Sequence, residues 1–209
     1  MVLEGEMINT KVFSEREKEY IKQELIKNGR ELFSRYGIKK TSIEQITKST
    51  RIAKGSFYSF FDSKEDLYFY ILMEEIKISV ESNHSLSFTD DSPRQIVREV
   101  LSDAVRSMDT NPILNKMLIQ EEYELVYRKI GLAEDNKPMD IIAPLTGLFS
   151  KWQSEGVIID QKPEFLANVV KCLFLLTTHK KEIGEGYFDG IMEFLIDVIS
   201  EKITINPVL

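Results

Sequence analysis

Apolar residues recur every three or four positions along almost the whole chain, a spacing typical of amphipathic α-helices. We find no convincing run of alternating apolar and polar residues that would predict a β-strand, and no internal repeat. The sequence therefore predicts an all-α protein. Because 43% of the residues are hydrophobic, the chain has enough apolar side chains for a substantial core.

Signals for helix starts and helix ends divide the N-terminal part into short helices. Ser14-x-x-Glu17 predicts a capping box, and Gly37 is placed to end that helix in a left-handed conformation. Thr41-x-x-Glu44 predicts a second box that opens a short helix, and Lys54–Phe61 a third, very short one. We expect an N-terminal helix-turn-helix domain at 1–62, a connector helix at 63–80 and a larger C-terminal helical domain at 81–209.

The charge is distributed unevenly along the chain. The net charge is −7, yet residues 20–61 hold nine basic and three acidic residues, a net charge of +6. Residues 81–209 hold 13 basic and 21 acidic residues, a net charge of −8. A basic segment on an acidic body indicates one local anionic partner. The alternative is a solvated helix surface without such a partner.

Other classes of protein lack support in the sequence. Cys172 is the single cysteine, so no internal disulfide is possible. No signal peptide is evident, and the longest apolar run, 172–176, is too short to cross a bilayer, so we expect a cytoplasmic protein with no membrane partner. There is no phosphate loop, nucleophile elbow or paired-cysteine motif. Cys172 and His179 are seven residues apart and share a helical face, but a metal site would need further ligands, so we expect no enzyme activity, metal or cofactor.

The most informative stretch is residues 25–67, LIKNGRELFSRYGIKKTSIEQITKSTRIAKGSFYSFFDSKEDL. The order and spacing of several elements in this stretch resemble the DNA-binding domain of the TetR (tetracycline-repressor-like) family. These elements are Leu32-Phe33, Gly37, Thr41-Ser42, Ile46, Lys54-Gly-Ser-Phe-Tyr58, Phe61 and Ser63-Lys-Glu65. In the C-terminal domain the resemblance extends only to the number and length of the helices. It implies a two-domain, all-helical fold.

The short third helix has a physical rationale as a DNA-reading element. Phe57 and Phe61 lie four residues apart and so share one face, which can anchor the helix to the core. The residues then left to enter the major groove are Lys54, Ser56, Tyr58 and Ser59. For Tyr58 we prefer DNA contact over a place in the core, because its hydroxyl needs a polar partner.

Further candidate contacts surround this helix. Helix starts favour phosphate, and for Lys64 the family resemblance implies a phosphate contact. The candidate DNA-binding residues are Lys40, Thr41, Ser42, Arg51, Lys54, Gly55, Ser56, Tyr58, Ser59 and Lys64.

This chain departs from the family pattern in the turn of the motif. Arg51 stands where a turn glycine is usual, and a left-handed arginine costs roughly 1 kcal/mol. Ala53 precedes the reading helix where Ser or Thr is usual, so this helix lacks a side-chain cap. Ser59 stands where histidine is common, which puts the operator sequence in doubt.

Five helices are expected after Pro93, near 93–108, 112–130, 139–152 with a bend at Pro144, 163–184 and 187–203. The last two carry wide apolar faces and are suited to a four-helix bundle with a second copy, the alternative being a monomer with a central core helix. The candidate dimer residues are Phe165, Cys172, Leu175, Phe188, Ile191, Met192, Leu195 and Ile199.

A small-molecule site is expected among the C-terminal helices, on the basis of the family resemblance. Glu121 lies on an otherwise apolar face and suits a cationic or hydroxylated ligand, or else it is a rim carboxylate paired with a base. The candidate ligand-binding residues are Met108, Met117, Leu118, Glu121, Tyr123, Phe149, Trp152 and Phe174.

The resulting expectation is a ligand-responsive transcriptional regulator, a repressor that binds a palindromic operator as a homodimer and is released by a small-molecule effector. An activator is the variant within this hypothesis. The alternative is a helical ligand-binding or assembly module with a non-functional DNA head, which the altered turn at Arg51 would favour. A helical-bundle enzyme is the remaining rival. The sequence does not identify the effector, the operator or the regulated genes.

Overall fold

The structure, a computed structural model, describes residues 13–82, 92–119 and 143–205. In these ranges the chain is almost entirely helical, which confirms the predicted all-α fold. The helices are α1 (Glu15–Lys40), α2 (Ile43–Thr50), a 3-10 helix (Lys54–Ser59), α3 (Lys64–Ser82), α4 (Pro93–Thr110), α5 (Pro112–Ile119), α6 (Ala143–Ser154), α7 (Pro163–Thr177), α8 (Lys180–Ile183) and α9 (Glu185–Ile203). An isolated antiparallel bridge joins Ile158 to Thr204.

Capping boxes set the start of three helices. At α1 the Glu17 N–H donates to Ser14 Oγ at 3.3 Å, and Glu17 Oε2 accepts from the Ser14 N–H at 2.9 Å, as predicted. The box predicted at Thr41 and Glu44 is wrong by one residue, because Ser42 caps α2 and Gln45 closes the box. A third box, Ser92 with Gln95, opens α4.

Gly37 interrupts α1 near its end. Its φ of 75° is positive, as predicted, but its ψ of 169° lies outside the helical region, and helical structure then resumes as far as Lys40. The predicted helix end at Gly37 is therefore a sharp break inside α1. This break turns the chain towards α2.

Arg51 forms the turn between α2 and the 3-10 helix. Its φ and ψ of 60° and 38° are left-handed, and it is the only non-glycine residue with positive φ in the described parts of the chain. Hydrogen bonds from the Arg51 N–H to Lys48 O (3.2 Å) and from the Ile52 N–H to Thr47 O (3.1 Å) close the end of α2. The helix-turn-helix turn thus keeps its shape at the energetic cost of a left-handed arginine.

Two hydrophobic clusters make up the core. The head cluster consists of Ile21, Leu25, Ile26, Phe33, Ile38, Ile46, Phe57, Phe61, Leu67, Tyr68, Ile71, Leu72, Met108, Ile113, Leu114 and Met117. The body cluster consists of Val80, Val97, Val100, Leu101, Leu145, Leu148, Phe149, Trp152, Val157, Ile158, Leu166, Ala167, Val170, Leu173, Phe188, Met192, Ile196 and Ile203. Helix α5 therefore packs its apolar residues into the same cluster as the N-terminal helices, although it begins 30 residues after the end of α3.

Helices α1 and α3 approach each other closely at Gly29. A Cβ atom there would lie 2.9 Å from Leu67 Cδ2 and 3.2 Å from Ile71 Cδ1, so the backbone of α1 rests on the side chains of α3. An ion pair fixes the same two helices further along, with Arg30 Nη2 3.1 Å from Glu74 Oε2.

The C-terminal helices differ from the prediction in their bounds. Helix α6 is described from Ala143 onward, so the predicted start at 139 lies outside the described residues and the bend at Pro144 stays a prediction. The helix predicted for 163–184 is two helices, α7 and the one-turn α8. None of the helices in the described ranges combines the length and apolar character that a membrane span requires.

Replacing Arg51 with glycine is expected to raise the free energy of unfolding by about 1 kcal/mol, because glycine adopts the left-handed conformation without steric strain. Urea denaturation monitored by circular dichroism measures this change. The matched control is Lys48→Gly, which places glycine at a helical position nearby and should lower stability by about 1 kcal/mol. A loss of stability in Arg51→Gly would contradict the left-handed turn.

Candidate functional site

A buried aromatic pair holds the 3-10 helix against the head cluster. Phe57 is fully buried, Phe61 is 5% exposed, and their ring centroids lie 6.0 Å apart. Ile46 of α2 is fully buried in the same cluster. The face predicted to anchor this helix is therefore buried, and the helix has a fixed orientation on α2.

The opposite side of the 3-10 helix faces outward. Lys54, Gly55 and Ser59 are exposed, Ser56 is half-buried, and Tyr58 is 54% exposed. The Tyr58 ring stands at 85° to the Phe57 ring, at a centroid distance of 5.6 Å, so it is directed by the buried pair. These residues form the reading surface, the side of residues 54–59 that is available to a partner.

Gly55 has free space around it within the protein. A Cβ atom built at this position meets no atom within 4 Å. Packing within the described structure therefore does not require glycine here. Any requirement for glycine at position 55 has to come from a partner that approaches the backbone.

The start of α2 lies beside the reading surface, and it corrects one predicted contact. Thr41 is 2% exposed, and its hydroxyl donates to Gly37 O at 2.8 Å. Its side chain therefore faces the break in α1, and the expectation that this hydroxyl is offered to phosphate is wrong. Ser42 is exposed and caps α2, so the phosphate-facing helix start is at Ser42.

Lys64 has a structural role that the sequence did not predict. Its Nζ donates to Ile38 O at 2.7 Å and to Thr41 O at 2.8 Å. These carbonyls lie at the end of α1, where helix carbonyls lack intrahelical donors and attract cations. Lys64 therefore ties the start of α3 to the end of α1, and two of its three N–H donors are already engaged.

An open groove of about 560 Å³ connects these elements. Lys39, Lys40, Lys54 and Lys64 line it, and Ser42 and Tyr58 contribute to the same wall. Three acids, Glu44, Asp62 and Glu65, also line it, so its local excess of positive charge is small. We call it the basic groove. It brings predicted contacts from α2, the 3-10 helix and α3 together on one side of the head, while Arg51 is exposed in the turn.

A small cavity lies at the boundary between the head and body clusters. Its volume is about 40 Å³. Leu72, Met108, Leu114 and Met117 of its wall belong to the head cluster, and Val80 and Leu145 belong to the body cluster. The wall is completed by Ile76, Ser79, Ala104 and Phe174. We call it the seam cavity.

The predicted ligand residues do not all line the seam cavity. Met108, Met117 and Phe174 line the seam cavity. Phe149 and Trp152 do not, because they pack against each other in the body cluster with ring centroids 5.8 Å apart. Glu121 and Tyr123 lie outside the described residues, as does the side chain of Leu118. Four wall residues on α3 were not predicted, because nothing in the sequence of a connector helix indicates a cavity. They are Leu72, Ile76, Ser79 and Val80.

An exposed apolar surface covers parts of α7 and α9. Phe165 is 59% exposed and Leu175 48%, while Cys172 is exposed and Leu195 and Ile199 are half-buried. Two predicted dimer residues are corrected, because Phe188 and Met192 are each 4% exposed and lie in the body cluster of their own chain.

Helix α9 presents a second apolar row, of which only Ile191 was predicted from the sequence. The exposed members of this row are Tyr187, Ile191, Phe194 and Val198, spaced four, three and four residues apart. That spacing is the signal that was available in the sequence. In the described residues no group of three or more His, Cys, Asp or Glu side chains is arranged to hold a metal ion.

The geometry defines the class of this protein. A short helix, pinned by buried aromatics and joined through a tight turn to a capped helix, presents exposed polar residues beside basic side chains. This is the arrangement of a helix-turn-helix DNA-binding head on a larger helical body.

Comparison with known proteins finds similarity to one family of regulators in the N-terminal part of the chain. Residues 25–71 match the family model "Bacterial regulatory proteins, tetR family". In Bacillus subtilis (strain 168), the uncharacterized HTH-type transcriptional regulator YuxN is 32% identical over 87 residues, 42% of this chain and 29% of that protein. YhgD from the same strain, an uncharacterized regulator of the same type, is 26% identical over 108 residues, 47% of this chain and 56% of that protein. Each match thus spans less than two thirds of the relative's length.

The fold of the whole chain is also similar to a solved structure. RolR, crystallised in complex with the ligand resorcinol, aligns with a TM-score of 0.59 and 15% identity over 92% of this chain and 99% of RolR. This likeness concerns the fold. Residues 25–71 are thus similar to the tetR family model, and the fold of the chain is similar to that of RolR.

Proposed function

We propose that this protein is a repressor that binds a palindromic operator as a homodimer and releases it when a small-molecule effector binds. The observation that carries the proposal is the reading surface, in which Tyr58 and Lys54 are held outward by the buried Phe57. One short helix contacts only a few base pairs, so two heads related by a two-fold axis are needed for a specific site.

The rival hypothesis of a non-functional head loses its main support. It depended on Arg51 altering the turn, yet Arg51 adopts the left-handed conformation that a glycine would adopt, and α2 ends with its hydrogen bonds intact. The retained turn favours a working DNA head. The exposed guanidinium of Arg51 is then an additional phosphate contact.

Lys54→Ala and Tyr58→Ala are each expected to weaken binding to a duplex from the promoter of the protein's own gene by about 1–3 kcal/mol. Lys54→Ala should also reduce the slope of log affinity against log salt concentration by about 1, because it removes one phosphate contact, while Tyr58→Ala should not. Fluorescence anisotropy at several salt concentrations measures both effects. Normal affinity in both variants would rule out this reading surface.

Gly55→Ala provides the complementary test within the same measurement. It should leave thermal stability unchanged yet weaken binding, since the new methyl group meets only the approaching duplex. Gly147→Ala is the matched control, as its added Cβ also has no neighbour within 4 Å but lies on α6.

Reporter expression with and without the protein then distinguishes a repressor from an activator.

Dimerisation is proposed through the exposed apolar surface of α7 and α9. Phe165, Leu175, Tyr187 and Phe194 are each about half exposed or more, and such a patch of large apolar residues on a helical body indicates a protein contact. Two helices from each copy would form a four-helix bundle, with Ile191 and Cys172 inside it. The isologous symmetry of such a bundle matches a palindromic site.

Phe194→Glu is expected to convert the dimer to a monomer, because it places a charge within an apolar interface. Sedimentation velocity at micromolar concentration measures the change. Tyr20→Glu is the matched control, since Tyr20 is an equally exposed aromatic (68%, against 67% for Phe194) on α1. A wild-type protein that sediments as a monomer, or a Phe194→Glu variant that remains a dimer, would exclude this interface.

The effector site is proposed to be the seam cavity. Nine of its ten lining side chains are apolar, and the tenth, Ser79, shares a hydrogen bond of 3.1 Å with Ser107. Such a wall favours an uncharged, largely apolar effector with at most one hydroxyl group at the serine pair. At about 40 Å³ the cavity has to expand on binding, which the flexible side chains of Met108 and Met117 allow. A ligand there would separate the two clusters.

Toluene and benzyl alcohol are therefore expected to raise the melting temperature and to lower affinity for the promoter duplex, whereas benzoate should do neither. Benzylammonium tests the separate prediction that Glu121 binds a cationic ligand. Differential scanning fluorimetry and anisotropy measure the two responses. Ala104→Leu fills the cavity and should abolish the thermal shift. A shift that persists in this variant would place the site elsewhere.

A further inference from the structure

Two lysines from other helices donate to carbonyl oxygens on either side of the break at Gly37. Lys64 of α3 binds Ile38 O and Thr41 O after the break. Lys116 of α5 binds the carbonyls before it, with Nζ 2.6 Å from Ser34 O and 3.4 Å from Phe33 O. The end of α1, on which α2 packs, is thus fixed by two cations, one of which comes from outside the N-terminal 80 residues.

The helix that carries Lys116 also lines the seam cavity. Leu114 and Met117, two residues before and one after Lys116, belong to the cavity wall and are 3% and 2% exposed. Within this single turn of α5, the apolar side chains face the cavity while the ammonium group reaches α1. A displacement of this turn therefore moves Lys116 relative to the carbonyls that it binds.

A second polar connection runs from the start of α5 to α1. Asn111 Nδ2 donates to Glu75 Oε2 at 2.6 Å, and Glu75 Oε1 lies 2.8 Å from Arg30 Nε. Asn111 also caps α5, as its Oδ1 accepts from the Ile113 N–H at 2.9 Å. The start of α5 is thus tied to α1 through Glu75, and its next turn is tied to α1 through Lys116.

We propose that Lys116 is the positioning residue through which occupancy of the seam cavity is transmitted to the DNA-binding head. An occupant that displaces Leu114 and Met117 withdraws the ammonium group from Ser34 O. The end of α1 loosens and α2 loses its fixed orientation. This inference rests on the proposed effector-responsive function, and it requires that the occupant favour the displaced state of α5.

The test replaces the unidentified effector with a side chain that fills the cavity. Ala104→Leu should lower affinity for the promoter duplex about tenfold, a typical size for coupling between sites. In a Lys116→Met background the same substitution should lower affinity less than about threefold, because the connection is already absent. Lys116→Arg retains the cation and should restore the full response. Lys151→Met, on the exposed face of α6, is the matched control and should leave the response intact.

Hydrogen exchange provides a measurement that does not depend on DNA. Ala104→Leu should accelerate amide exchange in residues 34–41 when Lys116 is present, and should add no acceleration in Lys116→Met. If Ala104→Leu leaves both exchange and affinity unchanged, or if Lys116→Met leaves the response to Ala104→Leu undiminished, the proposal is overturned. Absence of duplex binding in the wild type would instead contradict the proposed function, while the exchange data still decide the role of Lys116.

Discussion

The burial of Phe57 is the constraint on which the DNA-binding head depends. A helix of six residues has too few hydrogen bonds to persist alone, so its orientation has to come from tertiary contacts. Phe57 and Phe61 insert into the head cluster, and the remaining residues are consequently held outward. The left-handed Arg51 and the uncapped start at Ala53 both weaken this segment locally. The aromatic contacts offset these losses, so a motif with unfavourable local features still has one defined shape.

The division of the core into two clusters explains why the head and body can influence each other. Helix α5 follows the head in the chain but packs its apolar side into the head cluster, and α3 contributes to both clusters through Ile76. A cavity at the boundary between two such clusters is a place where a small volume change alters how they pack. Close-packed interiors have little room to absorb such a change locally, so it is passed to neighbouring helices.

Local patterns predicted the parts of the structure that depend on neighbours in the chain. The box at Ser14, the positive φ at Gly37 and the inward pair Phe57 and Phe61 all follow from residues at most four positions apart. The register error at Thr41 arose because threonine and serine are adjacent and both can cap. Only the three-dimensional structure shows that the Thr41 hydroxyl is used at the break in α1.

Contacts between distant parts of the chain could not be predicted in the same way. Helix α9 is apolar on two sides, and its sequence does not say which side faces its own core, so Phe188 and Met192 were predicted for the exposed side, where Tyr187 and Phe194 lie. The partners of Lys64 and Lys116 are carbonyls more than 20 residues away, exposed by a break in another helix. Phe149 and Trp152 lie outside the seam cavity, which the sequence could not show, because large apolar side chains look alike in sequence whether they line a cavity or fill a core.

The close approach at Gly29 is a pivot point between helices α1 and α3. Because the α1 backbone already rests on Leu67 and Ile71, the two helices cannot move closer there without displacing these side chains, and a rotation of one helix against the other would pivot at this contact. Val80, at the cavity, lies nine residues beyond Ile71, about 13 Å along the helix. The contact lies near the start of α3, so a rotation about it moves the end of α3 at the body further than the start of α3 in the head. A bulkier residue at position 29 would move the hinge point itself.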